Sequence, residues 1–110
     1  MNLKNPHERI DRIDLAMDRL IAAKVRAAPH LIEIAKANLA RWQAQNGGEL
    51  APAHREWELA LRFLTSTELA DFIESETPKA NRLRQSSPFA GILTESERLA
   101  ILRSHEEIAA

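Results

Sequence analysis

Five prolines punctuate this 110-residue chain, and four of them stand where a helix can begin. A proline at the first helical position sacrifices no hydrogen bond, because that N–H would be unpaired in any case, and its fixed φ is already helical. Asn5-Pro6-His7-Glu8 therefore predicts a helix start, with Asn5 as cap and Glu8 where a capping-box carboxylate reaches back. Pro29 opens a second helix just after Ala28, which the proline pushes out of the helical region. Pro52 opens a third, and Thr77-Pro78 a short basic one. Ser87-Pro88 instead ends a helix, and capping boxes Thr65 to Glu68 and Thr94 to Glu97 start two more. Punctuation of this density allows helices of ordinary length joined by short turns and little else.

Apolar spacing fills in the elements. Through about Ala27, residues Ile10, Ile13, Met17, Leu20, Ile21 and Val25 fall on one helical face, with Arg9, Arg12, Asp18 and Arg19 largely elsewhere. Leu31, Ile34, Ala35, Leu39 and Trp42 form the next stripe, which Asn46-Gly47-Gly48 ends. Two such helices with almost no loop predict a long antiparallel or steeply crossed hairpin. The third helix, carrying Trp57, Leu59, Ala60, Leu61, Phe63 and Leu64, is apolar on more than one face and reads as the central, most buried one. A short acidic helix with Leu69, Ala70, Phe72 and Ile73 follows. In the basic helix after it, Ala80 and Leu83 face inward while Lys79, Arg82 and Arg84 point out. Leu99, Ile101, Leu102 and Ile108 mark the last helix. Phe89 to Leu93, the best strand candidate, is interrupted by Gly91 and has no mate. The expected fold is one all-α domain over residues 1–110, a compact bundle of five to six helices with a long N-terminal hairpin and short C-terminal helices. Whether the apolar excess of the first helix is buried within the chain or in a homodimer stays open.

The absence of cysteine excludes disulfides, thiol catalysis and thiolate zinc sites. No stretch reaches the ~18 apolar residues of a membrane helix, and MNLKNPHERIDRID lacks the apolar core of a signal peptide, so the expectation is a cytoplasmic protein with no membrane partner. A net charge of -1 argues against bulk electrostatic binding to nucleic acid. The distribution is uneven: from Glu49 to Glu76, seven acidic residues face only Arg55 and Arg62, a net of -5, while Lys79, Arg82 and Arg84 give the next segment +3.

No catalytic, metal or cofactor motif emerges. His7, His30, His54 and His105 are scattered, and neither His105-Glu106 nor the His7 and Asp11 pair supplies a full ligand set. Asp11, Asp14 and Asp18 lie along one side of the first helix, where a solvated face balanced by arginines is the ordinary reading. Gly47-Gly48 follows a helix instead of opening one, so it is no phosphate loop. Ser66 to Gln85 imitates a helix-turn-helix, with Lys79, Asn81, Arg82, Arg84 and Gln85 available to phosphates and bases, although Asp71, Glu74 and Glu76 would face the same phosphates.

Residues 77–97, TPKANRLRQSSPFAGILTESE, combine cations with an apolar loop. Lys79, Arg82, Arg84, Gln85, Ser87, Pro88 and Phe89 are the expected partner-binding residues, with Phe89 either an interface anchor or a core staple. Three stretches, NPHERIDRIDLAMDRLIAAKVRAAPHLIEIAKANLARW, the Arg55-Glu56-Trp57 block and RLRQSSPFAGILTESERLAILR, together resemble small bacterial helical proteins of about this length. RLRQSSPFAGIL is the most specific piece. The resemblance implies a gene lying beside one for a nucleotidyltransferase-fold protein, in an arrangement similar to a toxin–antitoxin module. It makes this chain the noncatalytic, antitoxin-like member that binds and neutralises a partner enzyme, and a DNA-binding transcriptional regulator is the alternative.

Overall fold

The computed structural model describes the backbone of residues 6–109 and the side chains of residues 8–106. It contains α1 (Pro6–Ala27), α2 (Ile32–Gln45), α3 (Pro52–Phe63), α4 (Ser66–Ile73), α5 (Pro78–Arg84) and α6 (Glu95–Ala109), with a 3-10 turn at Pro29–Leu31 between the first two. No strand occurs among the described residues. The expected Asn5 cap and the side chain of His7, one half of its pair with Asp11, lie outside the described residues.

Local chemistry sets the boundaries. The Thr65 hydroxyl accepts from Glu68 N at 3.1 Å while the Glu68 carboxylate accepts from Thr65 N at 2.9 Å, a complete capping box. Thr94 and Glu97 repeat it at 3.1 and 2.7 Å, and Thr77 caps α5 by accepting from Ala80 N at 3.2 Å. At the end of α2, Gly47 and Gly48 take φ values of +69 and +90, a left-handed passage that residues with a Cβ resist. It lets Gly48 N reach back to Gln43 O at 2.9 Å.

The helix at the centre is α1. It buries Asp18, Ile21, Ala22 and Val25 and packs along α4, with α5 and α6 against other parts of it. The expectation that α3 is the most buried helix is corrected: α3 buries Trp57 and Leu61 but leaves Leu59 45% and Phe63 72% exposed. Its apolar excess belongs to two faces, only one of which has a neighbour, and periodicity alone does not say which face is covered. The two N-terminal helices do follow one another across a single 3-10 turn, yet each takes its main packing partner elsewhere, α1 on α4 and α2 on α3.

Trp57 holds the core together from the inside. Its indole N–H donates to Leu83 O at 2.9 Å, tying α3 to α5, and its ring meets Phe72 and Phe89 edge-on at 5.5 and 5.2 Å. Phe89 is 2% exposed, so of the two roles open to it the chain uses it as a core staple. The turn that delivers it is fastened by Asn38, a buried side chain whose amide donates to Pro88 O at 2.8 Å and to Ala90 O at 2.9 Å. Lys24 Nζ donates to Ile92 O and to Glu97 Oε1, each at 2.7 Å, so α1 fixes both the end of the turn and the start of α6. Gly91, at φ +93, permits the bend between them.

Phe89→Ala is expected to lower stability by ~3–5 kcal/mol in urea unfolding, because it empties the space against Trp57. Phe63→Ala, at an exposed site, is expected to change it by no more than ~0.5 kcal/mol.

Candidate partner-binding surface

Residues in the RLRQSSPF stretch divide sharply between inside and outside. Arg84 is buried, which corrects its expected outward position. Its Nε donates to Asp18 Oδ2 at 3.1 Å, and its Nη1 to Asn81 Oδ1 at 2.6 Å. Its Nη2 donates to two carbonyls at the C-terminal end of α4, Ile73 O at 3.0 Å and Ser75 O at 2.6 Å. One planar fork thus closes a helix end and ties α1, α4 and α5 together, because its five donors diverge in fixed directions. Helical spacing places Arg84 four positions after the inward Ala80, on the same side of the helix, so its stem crosses the boundary to a buried acid.

That acid, Asp18, is also displaced from its expected role on a solvated carboxylate face. Burial pushes its carboxyl up from 3.8 to about 7 against the pull of Arg84, with Asp14 adding to the rise. Asp14 is raised by its own burial and by Asp11, and lowered by Arg84. Pro88 and Phe89 are buried, and Ser87 is half-buried with its hydroxyl accepting from Phe89 N at 3.2 Å. Gln85 is exposed but opens onto a separate polar cleft of about 420 Å³ between α1 and α5, shared with Asp11, Arg12 and Asn81.

Of the seven expected residues, Lys79 lines an apolar groove, while Arg82 lines the same polar cleft as Gln85 and reaches the groove through its partner Glu56. Arg82 is exposed and holds Glu56 of α3 in a bidentate pair at 2.8 and 2.9 Å, which keeps the Glu56 carboxyl below its ordinary range. Lys79 lies within electrostatic reach of Glu56 and lines a groove of about 510 Å³. The groove runs between α3, α4 and α5 over Leu59, Ala60, Phe63, Leu64, Phe72 and Leu83. Phe72 at its floor packs on Trp57, so the concavity is backed by the rigid centre of the core. Leu59 and Phe63 are the residues that sequence reasoning assigned to the interior. The available signal was their placement on α3 away from Trp57 and Leu61, at positions that share a stripe with Arg55 and Arg62.

The helix-turn-helix candidate looks different in three dimensions. Arg84 and Asn81 are engaged internally, and Arg82 is held by Glu56. On α4, Asp71 and Glu74 converge on Arg26 of α1 at 2.6 and 2.7 Å, which lowers the Glu74 carboxyl's pKa and raises that of Arg26 further above its ordinary range. Among the described residues no group of His, Cys, Asp and Glu is placed to hold a metal ion. His54 stacks on Trp42 with ring centres 4.9 Å apart, and the His105 ring lies 2.9 Å from Ile101 O. No described helix is long and apolar enough to cross a membrane. No known protein family, curated protein or solved structure matches the chain.

Asp18 gives a pH test with a definite sign. A carboxyl whose folded pKa lies above its unfolded value binds its proton more tightly in the folded chain, so its contribution is full below about pH 3.8 and is lost as pH rises through about 7. Glu56, Glu74 and Glu97 act oppositely, stabilising above their ordinary 4.5 and losing that contribution as pH falls. The stability of the wild type relative to Asp18→Asn is therefore expected to fall as pH rises from about 4 to about 7 and to level off beyond about 8, read from urea midpoints.

Proposed function

We propose that this chain is a noncatalytic, antitoxin-like protein that binds and neutralises a partner enzyme encoded beside it. The partner implied by the resemblance of its RLRQSSPFAGIL stretch is a nucleotidyltransferase-fold toxin. The observation that carries the binding role is the α3–α5 face: Leu59 and Phe63 exposed on successive turns, at the edge of a groove that also has Lys79 on its lining. Large apolar side chains clustered beside a preformed concavity are the usual anchors of protein recognition, and polar side chains around them set orientation. Phe63 and Leu59 take the anchoring part first assigned to Phe89. Arg84 serves indirectly, because it positions the α5 helix that carries Lys79 and Arg82. A cytoplasmic setting belongs to the same reading.

The regulator alternative finds less support. With Arg82 on Glu56 and Arg84 on Asp18, Lys79 and Gln85 are the remaining expected contacts of α5, too few to neutralise a run of phosphates.

Co-expression with the product of the neighbouring gene, followed by affinity capture, tests the proposal. The partner is expected to co-purify with the wild type and to drop by at least about tenfold with Leu59→Ser plus Phe63→Ser, corresponding to ~1.4 kcal/mol or more. Absence of the partner from the wild-type capture, or unimpaired neutralisation by the double variant, would refute it.

A further inference from the structure

The segment from Glu49 to Glu76 is acidic in sequence, yet the α3–α5 face presents cations around its apolar centre. Internal partners account for the difference. Glu56 is clamped by Arg82, Glu68 closes the α4 capping box, Asp71 and Glu74 converge on Arg26, and Glu76 lies 3.5 Å from Arg19. Glu58 is 3.9 Å from Arg62. The cations flanking Leu59 and Phe63 are differently placed. Arg55, exposed one turn before Leu59, forms no side-chain hydrogen bond or ion pair among the described residues. Arg62 is 62% exposed, and its guanidinium carbon lies 6.0 Å from the Phe63 ring centre. Lys79 forms no ion pair among the described residues. Cations therefore stand on both the α3 and α5 sides of the apolar centre, with Arg62 shared with Glu58 and with the Glu56 on the groove's lining held by Arg82.

We infer that the α3–α5 groove receives an amphipathic segment of a partner protein whose apolar side is flanked by carboxylates. The inference rests on the partner-binding reading and specifies its chemistry. Leucine-sized side chains of the segment enter the space over Ala60, Leu64 and Phe72, while Phe63 packs along its apolar side. Its carboxylates meet Arg55, Arg62 and Lys79, where opposite charge sets register and raises the rate of encounter. Such a segment matches groove recognition by an amphipathic helix, in which anchors a turn or two apart fill one hydrophobic channel. A second copy of this chain suits the face poorly, because a two-fold interface sets the same patch against itself and brings these cations together. Phosphate-rich surfaces such as DNA would meet the cations but leave Phe63 and Leu59 without an apolar counterpart.

Two short synthetic helical peptides with the same leucine stripe, one carrying glutamates at its flanks and the other lysines, test this directly on the 110-residue chain. Fluorescence anisotropy of the labelled peptides is expected to show the glutamate peptide binding at least about tenfold more tightly. Arg62→Glu plus Lys79→Glu is expected to reverse the preference, and Phe63→Ser to abolish binding of both; all three positions are exposed, and circular dichroism confirms that each variant stays helical. Equal affinity for the two peptides, binding of neither, or a preference that survives the charge reversal overturns the inference. It is overturned equally by tighter binding of duplex DNA or phosphatidylglycerol vesicles, or by a concentration-dependent dimer that Phe63→Ser dissolves. If the neighbouring gene product is captured and these charge reversals leave capture unchanged, the occupant chemistry is wrong while the partner-binding proposal stands. If no product is captured, the peptide preference still decides the chemistry of the groove.

Discussion

Arg84 is the side chain on which the arrangement of this fold turns. Ion pairing with Asp18 is only part of its role, since removing two charges from water offsets most of what their attraction supplies. The larger consequence comes from geometry. Ile73 O and Ser75 O lie at the end of α4, where carbonyls have no helical partner, and Arg84 supplies donors for both. Removing it would leave a buried carbonyl, a half-buried one and a buried carboxyl without their partner together, a cost of ~3–5 kcal/mol for the broken charge pair alone. The chain accommodates a cation in its interior because each of the fork's three nitrogens meets at least one acceptor.

That internal use of Arg84 decides where the outer surface of α5 lies. With Leu83 and Arg84 turned in, Lys79 and Arg82 turn out toward α3, and Arg82 reaches Glu56 there. Trp57 completes the link from beneath by donating to Leu83 O. The groove between α3, α4 and α5 thus follows from two ties between α3 and α5, one buried and one exposed. Its floor is Leu83 of the core and Phe72 packed against it, so the proposed binding face and the stability of the chain share residues.

Much of the helical plan was legible because it is written in local chemistry. Prolines 29, 52 and 78, the threonine boxes and the glycine pair after α2 each act within a few residues, and all six helices begin or end near them. Long-range choices were not legible in the same way. Spacing puts Arg84, four positions after buried Ala80, nearer the inward side of α5 than Arg82, but a charge is kept inside only because Asp18, 66 positions earlier, lies within its reach. Asn38 has the same character: an unremarked polar residue in an apolar stripe, whose purpose depends on a turn 50 positions away. The exposure of Leu59 and Phe63 follows from which face of α3 receives α2, which is a tertiary fact. The net charge of 49–76 does not describe a surface for a related reason, since arginines from α1 and α5 pair with acids that are distant in sequence.

The most direct measurement of this account is the exchange of arginine side-chain Nε protons with water, followed by NMR on the uniformly labelled wild type. One Nε–H, assigned to Arg84 by its loss in Arg84→Lys, is expected to exchange orders of magnitude more slowly than those of the exposed arginines, because it is buried and donated to Asp18. Exchange of the Arg84 proton at the same rate as that of exposed Arg55 would contradict the internal role of Arg84 and the surface derived from it.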